Sequence, residues 1–518
     1  MVARFVIGID FGTLSARGVL IDVNSSMQVG QVVVNFRHGL ITASSPVYVD
    51  VSPEMVLHKP SDYLEACRHI LRTLGTDRHV AGIGIAATAC SPLPVRSDGT
   101  TFEAAYPDDP HALIKLWKHR GAQRYADRIT QMNPRSLVNG EGMFAKAAEL
   151  AEIRPVIWGE TERFIEVGDW LVWQLTGNEC RSLDFAAYKS LYRPGQGYPL
   201  ELRNDLESRL ADPHPIATVA GCLSGSWLRE TLILGEPIVA VAAIDSHAVI
   251  PAAQMSDGPG FLGVLGTSSS FLRLGGPSEI LPSGYEIGAF GAAAPDVWCC
   301  EAGQAAFGDV IAWFVDTFPV GFEKAEAFQF LENCMRNRSP MQGRLLALDW
   351  FGGNRIPHRD KTLSGLLLGL NVETTPLDVC QALHESLSFG VRSIINSCGE
   401  AEFETCIPTM AGTVALRNAY LMQTICDVIG RPLRVAQLEF PSALGAGIHA
   451  AVASGIVQDV TDGSQRFGCR SYLTYAPDPR RHSVYSDIYS VYLALANDPV
   501  LTASMRRLSD FSSKAAGD

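Results

Sequence analysis

Two glycine turns rich in hydroxyl groups, Gly12-Thr13 and Gly266-Thr267, lie far apart in the chain. Each turn joins two apolar segments, a pattern that predicts a β-hairpin with a glycine at its tip. Such a tip directs backbone N–H groups to one point, and the hydroxyls of Ser15 and Ser268 add further donors, which suits phosphate oxygens. One such turn alone is typical of ordinary loops, but the pair favours a polyphosphate bound from two sides.

The first hairpin also has a carboxylate, Asp10, at the end of its first strand, and the second hairpin has none there. A carboxylate beside a phosphate repels it unless a cation lies between them. We therefore expect Asp10 on a Mg²⁺ side of the site and the second turn on the γ-phosphate side.

A third candidate, Asp245, follows the continuous apolar run Ile238–Ile244, which predicts a strand buried on both faces. A carboxylate that follows a buried strand is partly desolvated and suits a general base. The alternative is an aspartate that caps the next helix. His247 is interpreted as a packing histidine rather than a metal ligand, because no second His or Cys stands at a useful spacing.

The length of the chain and the spacing of its apolar residues predict the elements that position these groups. A chain of 518 residues fits two large domains, and the stretch rich in Pro and Gly after Gln254 gives domains 1–254 and 255–518. Apolar spacing predicts three strands over 4–34, a helix over 61–74, a buried strand over 80–87 and helical structure over about 110–176. The second half is predicted to repeat the plan of the first, with a helix from about Thr375 and helices through 421–428 and 442–455.

The composition argues against several classes of function. The formal charge of −13 disfavours a nucleic-acid or anionic-membrane partner and favours a small soluble ligand. No apolar run approaches the ~20 residues that span a bilayer, and the first residues do not resemble a signal peptide, so we expect a cytoplasmic protein. The 12 cysteines include no Cys-x-x-Cys pair, which predicts reduced, mostly buried thiols.

Other patterns have ordinary interpretations. Gly82–Ala87 and Gly445–Ala450 match the dinucleotide pattern Gly-x-Gly-x-x-Ala, but the first lies in a predicted strand and the second in a predicted helix, so both are interpreted as coincidences. No Gly-Lys dipeptide occurs, which excludes a P-loop. From spacing alone, 116–120 is a solvated basic helix face with one aromatic in the core.

Taken together, the segments resemble the FGGY family of carbohydrate kinases, and within it the bacterial L-ribulokinases. The matching segments occur in the family's order from the first strand to about Gly455. They are Gly8–Arg17, Thr88–Cys90, Leu93–Val95, Pro110-His111, Lys115–His119, Tyr188-Lys189, Asp245–Ala248, Leu265–Ser268, Glu301–Gln304, Gly308-Asp309, Leu348–Arg355 and Ala443–Ala446.

The resemblance implies an α/β fold of two actin-like (ribonuclease H-like) domains, with ATP and a sugar in the cleft between them. It implies Asp245 as the base and Asp10 on the Mg²⁺ side. It also implies three sets of contacts: Gly12, Thr13, Ser15, Arg17, Gly266, Thr267 and Ser268 on the phosphates; Gly412, Thr413 and Asn418 near the adenosine; and Ala89, Trp117, Lys118, Lys189, Asp245 and Glu301 on the sugar.

The implied activity is ATP-dependent phosphorylation of a ketopentose, L-ribulose to L-ribulose 5-phosphate in L-arabinose catabolism. The sequence leaves a homodimer as one possible oligomeric state. Alternatives are an FGGY kinase for another ketose or a polyol (D-ribulose, xylulose, glycerol), or an actin- or Hsp70-like ATPase without sugar transfer. Two residues depart from the ribulokinase pattern, the first bearing on the choice of sugar and the second on nucleotide affinity, and after Gly455 little of the chain can be matched. Ala86 stands where an acid near the pocket is usual, and Ala411 replaces the first glycine of the pair in the adenosine loop.

Overall fold

The computed structural model describes residues 4–45, 51–133, 138–256, 259–275, 281, 284–318, 323–397 and 406–515. Contacts between residues define two compact units. Unit 1 comprises Met1–Asp257, Ala289–Val297 and Phe440–Gly468, and unit 2 comprises Gly258–Gly288, Trp298–Glu439 and Cys469–Asp518. The domain division at residue 254 stays a prediction; unit 1 differs from it by also including 289–297 and 440–468.

The described strands are β1 (Arg4–Phe11), β2 (Ser15–Asp22), β3 (Met27–Asn35), β4 (Leu57–His58), β5 (His79–Ala87), β6 (Pro92–Val95), β7 (Ile114–Lys115), β8 (Arg163–Glu166), β9 (Arg181–Ser182), β10 (Pro213–His214), β11 (Val219–Cys222), β12 (Ile238–Ala240), β13 (Ala243–Ile244), β14 (Gly260–Leu265), β15 (Ser269–Leu274), β16 (Ile287–Phe290), β17 (Trp298–Gln304), β18 (Leu346–Leu348), β19 (Leu366–Leu368), β20 (Thr409–Ala411), β21 (Leu433–Ala436) and β22 (Tyr472–Tyr475). The described helices are α1 (Pro60–Gly75), α2 (Gln123–Met132), α3 (Met143–Ile153), α4 (Pro155–Glu160), α5 (Val167–Thr176), α6 (Leu183–Lys189), α7 (Gly225–Thr231), α8 (Asp245–Ala252), α9 (Gly308–Thr317), α10 (Lys324–Met335), α11 (Pro376–Ser397), α12 (Thr413–Arg417), α13 (Ala419–Ile429), α14 (Pro441–Ala453), α15 (Val460–Phe467), α16 (Pro479–Ala496) and α17 (Pro499–Ala515).

The main sheet of unit 1 has the strand order β11-β12-β5-β1-β2-β3, with β13 also paired to β5. Strands β1, β5, β12 and β13 are parallel, and the other neighbours are antiparallel. The carboxyl ends of β1, β5 and β13 therefore meet at one edge, which is where ligands bind in α/β sheets. Asp10, Ala89 and Asp245 all lie at this edge. The predicted strands over 4–34, the helix α1 and the strand β5 are confirmed.

The main sheet of unit 2 repeats this plan. Its order is β16-β17-β15-β14-β20-β21-β22. The strands β17, β15 and β14 are antiparallel neighbours, β14, β20 and β21 are parallel, and β22 is antiparallel to β21 as β11 is to β12. The predicted repeat is thus confirmed for the sheets, and α11 begins at Pro376 at the predicted place.

The run Ile238–Ile244 is not the single continuous strand that its apolar sequence predicts. It forms β12 and β13, whose pairing with β5 shifts by one residue between Val239↔Ile83 and Ala243↔Ala86. Between the two strands, the Val241 N–H donates to the carbonyl of Thr218 at 3.0 Å instead of to β5. The extra residue is a bulge, and it sets the direction in which the chain enters α8.

Helix α14 packs directly on β1 and β5 because glycines face it. An added Cβ at Gly8 or Gly84 would overlap the carbonyl of Ala443 or Ala446, and one at Gly82 would lie 2.7 Å from the carbonyl of Ala450. The two dinucleotide-like segments are therefore the two sides of a strand-helix contact, which confirms that neither is a nucleotide loop. Helix α14 runs antiparallel to β5, since Gly82 faces Ala450 and Gly84 faces Ala446. The helix therefore begins at the carboxyl edge of the sheet.

The segment 110–176 is helical only in part. Helices α2 to α5 occupy much of it, but 116–120 forms turns after β7, which pairs with β4. The interpretation of 116–120 as a basic helix face is therefore wrong. His119 is fully buried, which a solvated face would not allow.

After Gly455, where sequence patterns predict little, the chain forms α15, β22, α16 and α17. In unit 2, Tyr485, Tyr489 and Tyr492 of α16 surround Phe389 of α11. In the part of the chain that the structure describes, no helix has the length and apolar character needed to cross a bilayer.

We expect Gly84→Ala to lower the free energy of unfolding by about 1–3 kcal/mol, because the new methyl group collides with backbone that cannot move away. Gly159→Ala is the control, since Gly159 lies in α4 and its added Cβ would meet nothing within 4 Å. Midpoints of urea unfolding compare the two variants. Equal midpoints would show that the contact tolerates a side chain.

Candidate active site

The first glycine turn is tied to the ends of two strands. The Gly12 N–H donates to the Ser15 carbonyl at 3.1 Å, and the Thr88 N–H donates to the Phe11 carbonyl at 3.1 Å. Thr13 is half-buried, and its hydroxyl accepts a hydrogen bond from the Trp117 indole at 3.3 Å. The structure thus brings a predicted phosphate residue and a predicted sugar residue into contact.

Asp10 is buried, and its two carboxylate oxygens differ in their contacts. Arg17 donates to Oδ2 at 3.1 Å, whereas the buried Oδ1 has no hydrogen-bond partner among the described residues. Burial raises the pKa of Asp10, and the neighbouring Arg17 opposes that rise. The described residues hold no cluster of three His, Cys, Asp or Glu side chains for a metal. The site therefore fits a cation such as Mg²⁺ whose remaining ligands are water and phosphate.

Ala86 lies directly beside Asp10, since the two residues are partners in the parallel pairing of β1 and β5. Ala86 is fully buried and packs with Ala243, Ala248 and Ala446. Ala86, which departs from the ribulokinase pattern, therefore lies next to Asp10, the residue predicted on the Mg²⁺ side.

Asp245 is the first residue of α8, is half-buried, and accepts the Ser246 N–H on Oδ1 at 2.7 Å. Asp184, a residue that sequence reasoning missed, binds the backbone of the residue before Asp245 and the side chain of a residue two positions after it. Asp184 Oδ2 accepts the Ile244 N–H at 2.8 Å, and Oδ1 lies 2.6 Å from His247 Nδ1. Asp184 and His247 are both fully buried, so His247 is a packing histidine, as predicted.

The short helix α6 connects Asp245 with Lys189. Asp184 lies in its first turn, where the Ser182 hydroxyl accepts the Asp184 N–H at 3.1 Å, and Lys189 is its last residue. The Tyr188 ring packs edge-on against the His247 ring at 4.5 Å. Sequence could have suggested Asp184 only through its position two residues after Ser182, which is a capping pattern and no sign of a site.

Buried charges on α3 fix the segment that carries Trp117 and Lys118. Lys115 Nζ lies 2.7 Å from Glu149 Oε2, and His119 Nε2 lies 2.8 Å from the same oxygen. Burial by itself would raise the pKa of Glu149, but Lys115 and His119 hold it below its usual range. Between these two anchors, the Lys118 ammonium lies 5.0 Å from the centre of the Trp117 ring.

In unit 2, helix α9 holds the second glycine turn. The N–H groups of Phe307 and Asp309 donate to the Thr267 carbonyl at 2.8 and 3.1 Å, and the Gly308 N–H donates to the Gly266 carbonyl at 3.0 Å. Thr267 is exposed, with Gly266 and Ser268 half-buried beside it. The turn carbonyls are thus engaged by the helix, while the Thr267 side chain faces solvent.

Glu301 lies next to this hairpin in the sheet of unit 2. It is 8% exposed, and the Ser270 hydroxyl donates to its Oε1 at 3.3 Å. Further along β17, Gln304 Nε2 donates to Asp349 Oδ2 at 2.7 Å, which joins two of the segments typical of ribulokinases.

The predicted adenosine residues lie on the other side of the hairpin. Gly412 has φ +98°, a conformation that favours glycine, and an added Cβ would lie 2.6 Å from the Leu265 carbonyl. Thr413 is exposed at the start of α12. The amide of Asn418 caps α13 by accepting the Leu421 N–H and contacts His384, so its side chain is engaged within the protein. The Ala411 methyl group is fully buried.

Comparison with known proteins shows the family. Residues 262–454 match the C-terminal domain of the FGGY family of carbohydrate kinases. The chain is 32% identical to a ribulokinase of Mycolicibacterium smegmatis, over 99% of this chain and 97% of that protein. The chain belongs to the FGGY family. A ribulokinase of Halalkalibacterium halodurans is 31% identical to this kinase, over 96% of this chain and 95% of that protein.

Solved structures show the fold. A xylulose kinase from Lactobacillus acidophilus has a TM-score of 0.80 at 18% identity, and a gluconate kinase from the same organism has 0.79 at 18%; each comparison covers 98% of this chain and 100% of the other. The predicted α/β fold of two actin-like domains is confirmed. The protein is an ATP-dependent sugar kinase, as predicted.

We expect Glu149→Gln to destabilise the kinase by about 3–5 kcal/mol, because it leaves the Lys115 charge buried without its partner. Glu152→Gln on the same helix is the control, since the ion pair of Glu152 with Arg128 is exposed, and we expect it to change little. Thermal unfolding measures both variants.

The difference in stability between the wild type and Glu149→Gln should depend on pH in a defined direction. The pKa of Glu149 is held below its ordinary value of 4.5, so its stabilisation is present above pH 4.5 and is lost as the pH falls. The gap between wild type and Glu149→Gln should therefore narrow in acid. A gap that widens in acid would contradict this account of the buried pair.

Proposed function

We propose that this kinase transfers the γ-phosphate of ATP to the terminal hydroxyl of L-ribulose, giving L-ribulose 5-phosphate. The observation that carries the proposal is the meeting of Asp10, Thr13, Ala89 and Asp245 at one edge of the unit 1 sheet. The relatives that match nearly the whole chain are named ribulokinases, which supports this choice of sugar.

In the proposed reaction, the hydroxyl oxygen attacks the γ-phosphorus of ATP, the bond to the ADP oxygen breaks, and the hydroxyl proton passes to Asp245. Asp245 suits this role because it is half-buried and lies between Ile244, whose N–H donates to Asp184, and His247, whose ring contacts Asp184. Lys189 and Ala89 in unit 1, and Glu301 in unit 2, are proposed to orient the sugar.

Asp10 would hold Mg²⁺ through Oδ1, and the ion, when bound, neutralises charge on the β- and γ-phosphate oxygens. Thr13, Ser15 and Arg17 are proposed to bind phosphate in unit 1. In unit 2 we assign Gly266, Thr267 and Ser268 to the transferred phosphoryl group and Gly412 and Thr413 to the adenosine, with Asn418 fixing the start of α13.

A second candidate is an FGGY kinase for another ketose or a polyol. Ala86 favours it, because the acid usual in ribulokinases is missing beside Asp10. ADP release, measured with L-ribulose, D-ribulose, xylulose, glycerol and no sugar, tests both candidates. We expect the largest kcat/KM with L-ribulose; a larger value with another acceptor supports the second candidate, and ADP release that is independent of sugar would indicate an ATPase.

For Asp245→Asn we expect a kcat lower by on the order of 10² or more, because the hydroxyl loses its proton acceptor. Sugar and ATP should still bind, since the amide has the same shape. Calorimetric titration with each ligand checks binding, and steady-state ADP release checks turnover. Turnover close to that of the wild type would remove Asp245 from the role of base.

For Asp184→Asn we expect kcat to fall between about 10- and 100-fold with a small change in sugar KM, because displacing a base by about 1 Å is costly. Asp427→Asn is the control. Asp427 is likewise fully buried and accepts a backbone N–H, that of Asp478 at 2.9 Å, but it lies in unit 2, whereas the proposed base lies in unit 1. Equal effects of the two substitutions on kcat would contradict a positioning role for Asp184.

A further inference from the structure

Two buried charges of opposite sign bind the same peptide group in unit 1. Lys146 Nζ on α3 donates to the Cys90 carbonyl at 2.5 Å. The N–H of the same peptide, on Ser91, donates to Glu166 Oε2 at the end of β8 at 2.7 Å. Lys146 is 0% exposed and Glu166 is 1% exposed, so water competes with neither bond.

This peptide belongs to an unusual turn directly after β5. Cys90 has φ +53°, in the left-handed region that residues other than glycine rarely adopt. The Ser91 hydroxyl closes the turn, with 3.2 Å contacts to the Ala89 carbonyl and to the Thr88 hydroxyl. The two charges therefore fix the turn that presents Ala89, a proposed sugar contact.

The same charges connect this turn to two other parts of the proposed sugar site. Lys146 also donates to the carbonyls of Leu116 at 2.8 Å and Lys115 at 3.2 Å, which precede Trp117. The positive charges of Lys146 and Lys189 both act on the Glu166 carboxyl. Its other oxygen, Oε1, is buried and has no hydrogen-bond partner within the described ranges.

The surroundings of Glu166 act on its charge in opposite directions. Burial raises the pKa of Glu166 to about 7, and the Ser91 N–H, Lys146 and Lys189 act to lower it.

We propose that Lys146 and Glu166 form a peptide clamp on Cys90–Ser91 that positions Ala89 and Trp117 for the sugar. The inference rests on the proposed function, because it assigns the clamp to the sugar side of that site. Both residues are positioning residues: Glu166 acts through the turn, and Lys146 acts through the turn and through the carbonyls that precede Trp117. The clamp sets sugar affinity and leaves ATP binding and the transfer step to other groups.

The test compares Glu166→Gln and Lys146→Met with a matched control, Glu385→Gln. The glutamine substitution at position 166 keeps an acceptor for the Ser91 N–H but loses the charge, and the methionine substitution at position 146 removes the donor to the carbonyls. Glu385 in unit 2 is also 1% exposed and accepts a backbone N–H, that of Met341 at 3.1 Å. Burial raises the pKa of Glu385 to about 7, as it does for Glu166.

We expect the KM for L-ribulose to rise about tenfold or more in both clamp variants, which corresponds to about 1.4 kcal/mol of sugar-binding free energy per tenfold. The kcat and the KM for ATP should stay within about threefold of the wild-type values. Glu385→Gln should change thermal stability without changing the sugar KM. The rise in thermal midpoint caused by saturating L-ribulose gives a second measure of sugar binding and should shrink only in the clamp variants.

An unchanged sugar KM in whichever clamp variants fold, or an equal rise in Glu385→Gln, overturns the clamp while leaving the kinase assignment intact. A wild-type enzyme that phosphorylates no sugar of the panel overturns the proposed function and the clamp with it. A loss confined to kcat would also overturn the clamp, because it would place these residues with the base.

Discussion

The close contact of helix α14 with strands β1 and β5 is the constraint on which the candidate site depends. Gly8, Gly82 and Gly84 place backbone against backbone, so neither the helix nor the strands can move without collision. The contact also fixes direction: α14 begins at the carboxyl edge of the sheet, where Asp10 lies. The N-terminal end of a helix carries a partial positive charge, so the edge that holds the first glycine turn is favourable to an anion before any side chain acts.

Apolar packing does not orient the peptides at this edge, because it has no direction. Buried charges do so instead. Lys146, Glu149, Glu166 and Asp184 are each nearly or fully buried, and each binds the backbone or a side chain of a segment beside a proposed site residue. Burying a charge costs free energy that a hydrophobic side chain would avoid. The burial of these four charges is therefore better explained by positioning than by stability.

The features that could be predicted from the sequence are those that local patterns determine. The two hairpins, α1, β5 and the repeated sheet plan follow from apolar spacing and glycine turns, and the position of Asp245 follows from its place directly after an apolar run. The bulge inside Ile238–Ile244 was not predictable, because a buried run looks the same with or without an extra residue. Nor were Asp184, Lys146 and Glu166, which act on residues 60, 56 and 75 positions away. The misread helix at 116–120 has the same cause: His119 contacts Glu149, 30 positions away, rather than a neighbour along a helix.

The two sheets share a plan but differ in charge at one level. In unit 1, Asp10 pairs with Arg17 on one side and Ala86 on the other. At the matching level of unit 2, Val264 pairs with Ser270 and Ala411. The residues Ala86 and Ala411, which depart from the ribulokinase pattern, thus occupy equivalent positions in the two sheets. A carboxylate beside a phosphate repels it unless a cation lies between them. The level of Asp10 in unit 1 is therefore suited to a cation, whereas Val264 brings no charge to the same level of unit 2.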